Sequence, residues 1–226
     1  MKTKLILTAV LTVMFGIAAI AATPAKKTNA KTKMTATATY KKKYTNADFY
    51  TNGKFNQEVA MKAYKDMFAF YGVEFTELMA KNMWVSDFGL GDFENVGMGG
   101  IFWINDAEHN YFGHEIYLLP NQMIVEHAHV PTKYKAKFES WLVRNGSCFN
   151  FGIGETTANN PVIPASQKGF TTVSHCEKME VGDIRTLAKI ESKHFLMAGN
   201  AGVIVTEFGC YHDNDGLRFT NPGVKF

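Results

Sequence analysis

Residues 126–140 read EHAHVPTKYKAKFES and place His127 and His129 one residue apart, with Glu139 ten positions after His129. On a β-strand, side chains two apart project to the same side, so both imidazoles can converge on one point. That spacing suits a metal ion, although His-x-His alone is equally compatible with two ordinary strand histidines. Further ligands must therefore come from elsewhere. His194, in ESKHFLMAGN, stands 55 residues after Glu139 and precedes an apolar run. Three neutral imidazoles and one carboxylate suit a first-row divalent ion, and an octahedral ion would keep two positions open for neighbouring oxygens of a ligand.

The elements that must position these residues are mainly β. From residue 83 onward, short β-rich runs are separated by glycines, asparagines and prolines: 100–104, 113–119, 123–130, 138–143, 148–153, 179–181, 185–190, 195–198 and 202–208. LLPNQ, VRNGS and MAGNAG read as turns between them. Many short antiparallel strands at this spacing predict a sandwich or barrel, and a jelly-roll barrel gives the four residues a closed interior to share. Before the strands, NQEVAMKAYKDMFAFY carries apolar residues at three- and four-residue steps and is followed by Gly72, which predicts an amphipathic helix over 56–71. A second helical piece is expected over 76–82.

The first residues have a different character. MKTKLILTAVLTVMFGIAAIAATPA has a basic start, an apolar run and an Ala-x-Ala site at Ala19–Ala21, which predicts a signal peptide over 1–21 and a secreted or periplasmic protein with no membrane association after cleavage. Residues 22–45 are rich in Lys, Thr and Ala and read as a disordered linker, leaving 46–226 as one domain. Nine of the 24 basic residues and none of the 21 acidic ones precede Tyr44, so the remainder carries 15 against 21, a balance of −6. The net charge of +3 therefore belongs to the tail, and a nucleic-acid partner is not expected. Cys148, Cys176 and Cys210 fit no zinc or small disulfide framework and are expected as buried thiols, with a single Cys–Cys bond as the alternative.

Two histidines one apart, a later glutamate and a distant histidine resemble the metal site of the cupin superfamily. The stretches WVSDFGLGDFENVGMGGIFWIND, HEIYLLPNQMIVEHAHVP, KFESWLVRNGSCFNFGIGE and KHFLMAGNAGVIVTEFG, in that order, resemble the D-lyxose ketol-isomerase family of cupins. The resemblance covers roughly residue 60 to the C-terminus. It implies a homodimeric cupin barrel, a double-stranded β-helix, whose ligands fall on His127, His129, Glu139 and His194. The metal implied is typically manganese, with zinc or iron as alternatives. The activity implied is interconversion of a free aldose and its ketose, of the D-lyxose/D-xylulose or D-mannose/D-fructose type.

Such a reaction needs a base that moves a proton between adjacent carbons. Glu207, in VIVTEFG, is the candidate, because a carboxylate on an apolar strand is costly without a partner or a function. Asp215 and Arg218, in HDNDGLRF, are expected to assist the acid or hold sugar hydroxyls, although an Asn/Asp/Gly cluster is foremost turn chemistry. Two positions depart from the family pattern: His114 replaces a usual lysine and is expected to contact the sugar, and Ala128 stands where arginine is common. A non-catalytic sugar-binding cupin and an iron-dependent cupin dioxygenase are the alternative functions.

Overall fold

The computed structural model describes residues 39–226. The expected signal peptide, and the expected linker up to residue 38, lie outside the described residues. The described chain opens with helix α1 (Asn46–Phe49) and a two-stranded hairpin, β1 (Tyr50–Thr51) and β2 (Lys54–Phe55). Helices α2 (Gln57–Tyr71) and α3 (Glu77–Asn82) follow. The strands are β3 (Trp84–Ser86), β4 (Met98–Asp106), β5 (Tyr111–Leu118), β6 (His127–His129), β7 (Glu139–Gly152), β8 (His175–Glu180), β9 (Ile184–Thr186), β10 (Phe195–Gly209) and β11 (Leu217–Phe219).

Both longer helices have the expected ends. Asn56 caps α2 by accepting from Val59 N, and Gly72 closes it at φ 70°, where a residue with a Cβ would be strained. Thr76 caps α3 by accepting from Met79 N. The linker boundary needs correction: Tyr40 is 2% exposed in the helical core, Lys42 pairs with Glu94, and Tyr44 donates to Asp66. Two tyrosines in a Lys-rich run give the packed helices enough apolar area to hold residues 40–45.

Seven strands form one antiparallel sheet in the order β3-β4-β5-β10-β7-β8, with β9 also pairing to β7. β6 and β11 form a separate ribbon, and His127 bridges to His194 just ahead of β10. The result is the cupin-type barrel with an N-terminal helical segment. Alternation decides which side each residue serves. Ile116, Leu118, Trp141, Val143, Val203 and Val205 fill the barrel, whereas Tyr117, Ile204 and Ile101 pack under Tyr64, Met67 and Phe68 of α2.

Two expected turns are absent. VRNGS lies inside the 14-residue β7 and MAGNAG inside the 15-residue β10. Their ladder instead shifts register between Ala198 and Val203, with Gly146 and Gly202 facing each other at φ 74° and 75°. The glycines let two long strands bend together as a bulged corner, which is how a sheet curls into a barrel.

Candidate active site

The four ligand candidates reach one point from three directions. His127 and His129 share the inner face of β6, Glu139 opens β7, and His194 precedes β10, held by reciprocal backbone bonds to His127 of 3.1 and 2.9 Å. One ligand atom from each lies within 4.8 Å of all the others. His127 Nδ1 donates to Val125 O at 2.9 Å and His194 Nδ1 to Ser192 O at 3.0 Å. A carbonyl can only accept, so the proton of each ring is on Nδ1 and Nε2 is left bare toward the interior.

Nε2 of His129, Nε2 of His194 and Oε1 of Glu139 are buried without a hydrogen-bond partner, although Oε1 lies 2.8 Å from His194 Nε2 and 3.3 Å from His129 Nε2. Electron pairs aimed at one another across such distances repel unless a cation sits among them. The donor set therefore fits a divalent metal ion. Burial drives His127 well below the usual histidine range, with His194 and His129 adding to the effect. Burial opposes ionisation of Glu139, but Lys137 and the histidines outweigh it and hold the carboxyl well below the usual range. For His194 burial pulls downward and Glu139 pulls upward more strongly. A proton taken up there would occupy the metal's place, so the two compete.

Beside this cluster lies Glu207 on β10, only 4% exposed. Its Oε2 is 2.9 Å from His114 Nδ1, and its Oε1 accepts from Lys137 Nζ, which also reaches Glu139 Oε2 at 2.7 Å. Burial would lower the Lys137 pKa, but Glu139 and Glu207 together raise it, so Lys137 stays charged between two carboxylates. Trp84, Phe102, Trp141, Phe219 and Phe226 line the rest of the same cavity.

Lys137 and His212 join the site without being among the residues that the sequence singles out, and His212 lines the cavity from the loop after β10. The signal for Lys137 was its position two residues before Glu139, which puts both on one face of an extended chain. Lys133 and Lys135 are exposed and disguise it as part of a solvated basic run. Asp215 and Arg218 do not line the cavity. Asp215 is exposed in a turn, and Arg218 pairs across the ribbon with Ala128, so both point away while Leu217 and Phe219 face in with His129 and His127. The Arg218 guanidinium is spent on the carbonyls of Asp215 and Leu217.

Ligand orientation is fixed from behind. Glu126, 1% exposed, accepts from Thr172 N, Val173 N and the hydroxyls of Thr172 and Thr220, tying two outer segments to the residue before His127.

The D-lyxose/D-mannose isomerase of Thermosediminibacter oceani is 33% identical to this chain over 147 residues, 64% of this chain and 80% of that protein. The D-lyxose ketol-isomerase of Cohnella laeviribosi is 30% identical over 162 residues, 71% and 87% of the two chains. This chain belongs to the D-lyxose ketol-isomerase family. Membership makes it an aldose–ketose isomerase with a cupin barrel. No family model matches the chain. Among solved structures, the L-ribose isomerase of Acinetobacter sp. DL28 in complex with L-ribose shares the fold at a TM-score of 0.57 and 12% identity, covering 74% of this chain and 90% of that one. The Cellulomonas parahominis L-ribose isomerase with L-psicose aligns at 0.55, with 72% and 92% covered.

Proposed function

We propose that this protein interconverts a free aldose and ketose, of the D-lyxose/D-xylulose or D-mannose/D-fructose type, with a divalent metal held by His127, His129, Glu139 and His194 and with Glu207 as the proton-transferring base. The observation that carries this reading is the placement of Glu207 in the same cavity as the four convergent ligands, bridged to Glu139 through Lys137.

A divalent ion bound there would stabilise negative charge on the sugar oxygens as a Lewis acid; manganese is the first choice. Glu207 takes the proton from C2 of the aldose, the C–H electron pair becomes the C1–C2 double bond, and the carbonyl π pair of C1 moves onto O1, which takes up the proton that the C2 hydroxyl gives up. Glu207 then returns the proton to C1 while the hydroxyl at C2 becomes the carbonyl, so one proton moves between carbons and one between oxygens. Lys137 sets one positive charge between the two negative charges of Glu139 and Glu207 and offsets their mutual repulsion. The buried, unpartnered indole N–H of Trp84 is available to a sugar hydroxyl, and the aromatic walls cover the C–H faces and exclude water. A non-catalytic binder or an oxygenase places no demand on a buried base next to the ligands.

The test is incubation of protein reloaded with manganese, zinc or iron with a panel of free aldoses and ketoses, followed by NMR in deuterium oxide. Deuterium at the carbon beside the carbonyl is expected. No uptake with any sugar while metal is bound would sink the isomerase reading.

Two further properties belong to this proposal. Export with cleavage near Ala21 follows from the make-up of residues 1–21; mass spectrometry of the mature protein would overturn it by finding Met1 intact. Homodimerisation is supported by Ile104, Tyr111, Phe138 and Phe208, which expose 37–53% of their surface on the outer side of the sheet. Light scattering at micromolar concentration should give twice the monomer mass.

A further inference from the structure

His114 lies in the cavity wall, and its ring is held by aromatic neighbours and by the base. The imidazole stacks on Trp84, with centroids 5.7 Å apart and planes 12° apart, meets Phe102 edge-on at 4.7 Å and lies tilted to Phe112 at 5.5 Å. One nitrogen, Nδ1, is 2.9 Å from Glu207 Oε2. The other, Nε2, is buried without a partner and lies against Gly100, where a Cβ would overlap it. The one polar contact of the ring is therefore the one to the base, and the other nitrogen is packed against backbone.

We propose that His114 is a positioning residue: with Lys137 it clamps the two oxygens of Glu207 from opposite sides and fixes the carboxylate plane for proton transfer, and it does not bind the sugar. This role rests on the isomerase reading of the cavity. A glutamate has three side-chain torsions, and proton transfer requires its oxygen within hydrogen-bond reach of a carbon-bound proton, so an unclamped carboxylate would spend most of its time misaligned. Lys137 holds Oε1 and His114 holds Oε2. The two arms differ in charge. Burial pushes His114 below the usual histidine range despite the pull of Glu207, so its ring is neutral. A neutral ring facing a carboxylate must carry its proton on Nδ1. The carboxylate is therefore oriented twice and charge-paired by only one cation, which leaves its remaining lone pairs free to accept the substrate proton.

The geometry makes two separable demands. The first needs no turnover: long-range 15N–1H spectra of imidazole-labelled protein should give His114 as the neutral Nδ1–H tautomer, and Glu207→Ala should abolish that preference. An Nε2–H tautomer, or one indifferent to Glu207→Ala, would overturn the clamp. The second is kinetic. His114→Phe keeps an aromatic ring between Trp84 and Phe102 but removes the donor, and should lower kcat by about 10–100-fold with KM and metal content unchanged, the usual scale for losing a group that orients an active residue. His114→Asn, whose amide N–H can stand where Nδ1–H stood, should recover most of that loss. A rise in KM at unchanged kcat would assign His114 to the sugar, and equal damage from Phe and Asn would reduce it to packing; either result overturns the proposal. If the wild type shows no isomerase activity, the isomerase reading fails while the spectra still decide the clamp.

Discussion

Glu207→Gln preserves the size of the side chain and its acceptor toward Lys137 while deleting the base. It should lower kcat by about 10²–10⁴ with metal content intact, as measured by steady-state kinetics and elemental analysis. Replacing His129 or His194 by Ala should instead remove most of the bound metal, because three donors converge less well than four; a double variant that still holds one equivalent would place the metal elsewhere. Lys137→Met gives a third pattern. Lys137 is 5% exposed and touches both Glu139 and Glu207, so its loss leaves two carboxylates facing each other without a cation. Metal-free protein should be destabilised by about 3–5 kcal/mol in chemical denaturation, and metal loading should restore part of that.

The long strands β7 and β10 decide where the ligands and the base stand, and their shared corner at Gly146 and Gly202 sets the curl between them. Gly202→Ala would put a Cβ 2.5 Å from Met67 Sδ and 2.9 Å from Leu118 O at φ +75°. Backbone strain and overpacking together should destabilise by about 2–5 kcal/mol, measured as a lower denaturation midpoint. Gly53, also at positive φ but with nothing within 4 Å of its Cβ position, should tolerate Ala at about 1–2 kcal/mol. At this scale the sequence was partly misleading. Asn-Gly and Gly-Asn-Ala-Gly carry the chemistry of turns, and only the register across β7 and β10 reveals that both chains continue through the corner. The helix ends are legible in the sequence, because caps such as Asn56, Thr76 and Gly72 act within one turn of their own residue.

For the molecule as a whole, the buried imidazoles set the response to acid. In the metal-free protein the folded-state pKa of His114, His127 and His212 is depressed, that of His212 to about 3, foremost by burial. The unfolded chain then takes up protons below about 6.5 that the folded chain refuses. Their stabilising contribution is complete above that pH and is lost as pH falls toward the folded values. Glu139, also depressed, adds loss below its ordinary value of 4.5. His194 is raised and acts oppositely, losing its contribution as pH rises through its folded value. Three depressed histidines against one raised histidine predict that chelated protein is less stable at pH 5.5 than at 7.5 in urea denaturation. His212→Asn should flatten the slope. A flat or inverted wild-type profile would contradict the buried neutral assignment.

The sequence alone determined what periodicity and local chemistry can encode. His127 and His129 had to share a face because a strand repeats every two residues, and a carboxylate among Val and Ile at position 207 had to have a partner or a function. The same rule puts Arg218 outward, but it could not be applied until the register of β11 against β6 was known. Only the tertiary structure decided which distant residues meet. Lys137 is indistinguishable by composition from Lys133 and Lys135, and His114 from any strand histidine. What separates them is the closure of the barrel, which brings Glu207, 70 residues from Lys137 and 93 from His114, into contact with both. Long-range contacts of this kind depend on strand order and bulges that no local window contains, and so the clamp on the base belongs to the fold.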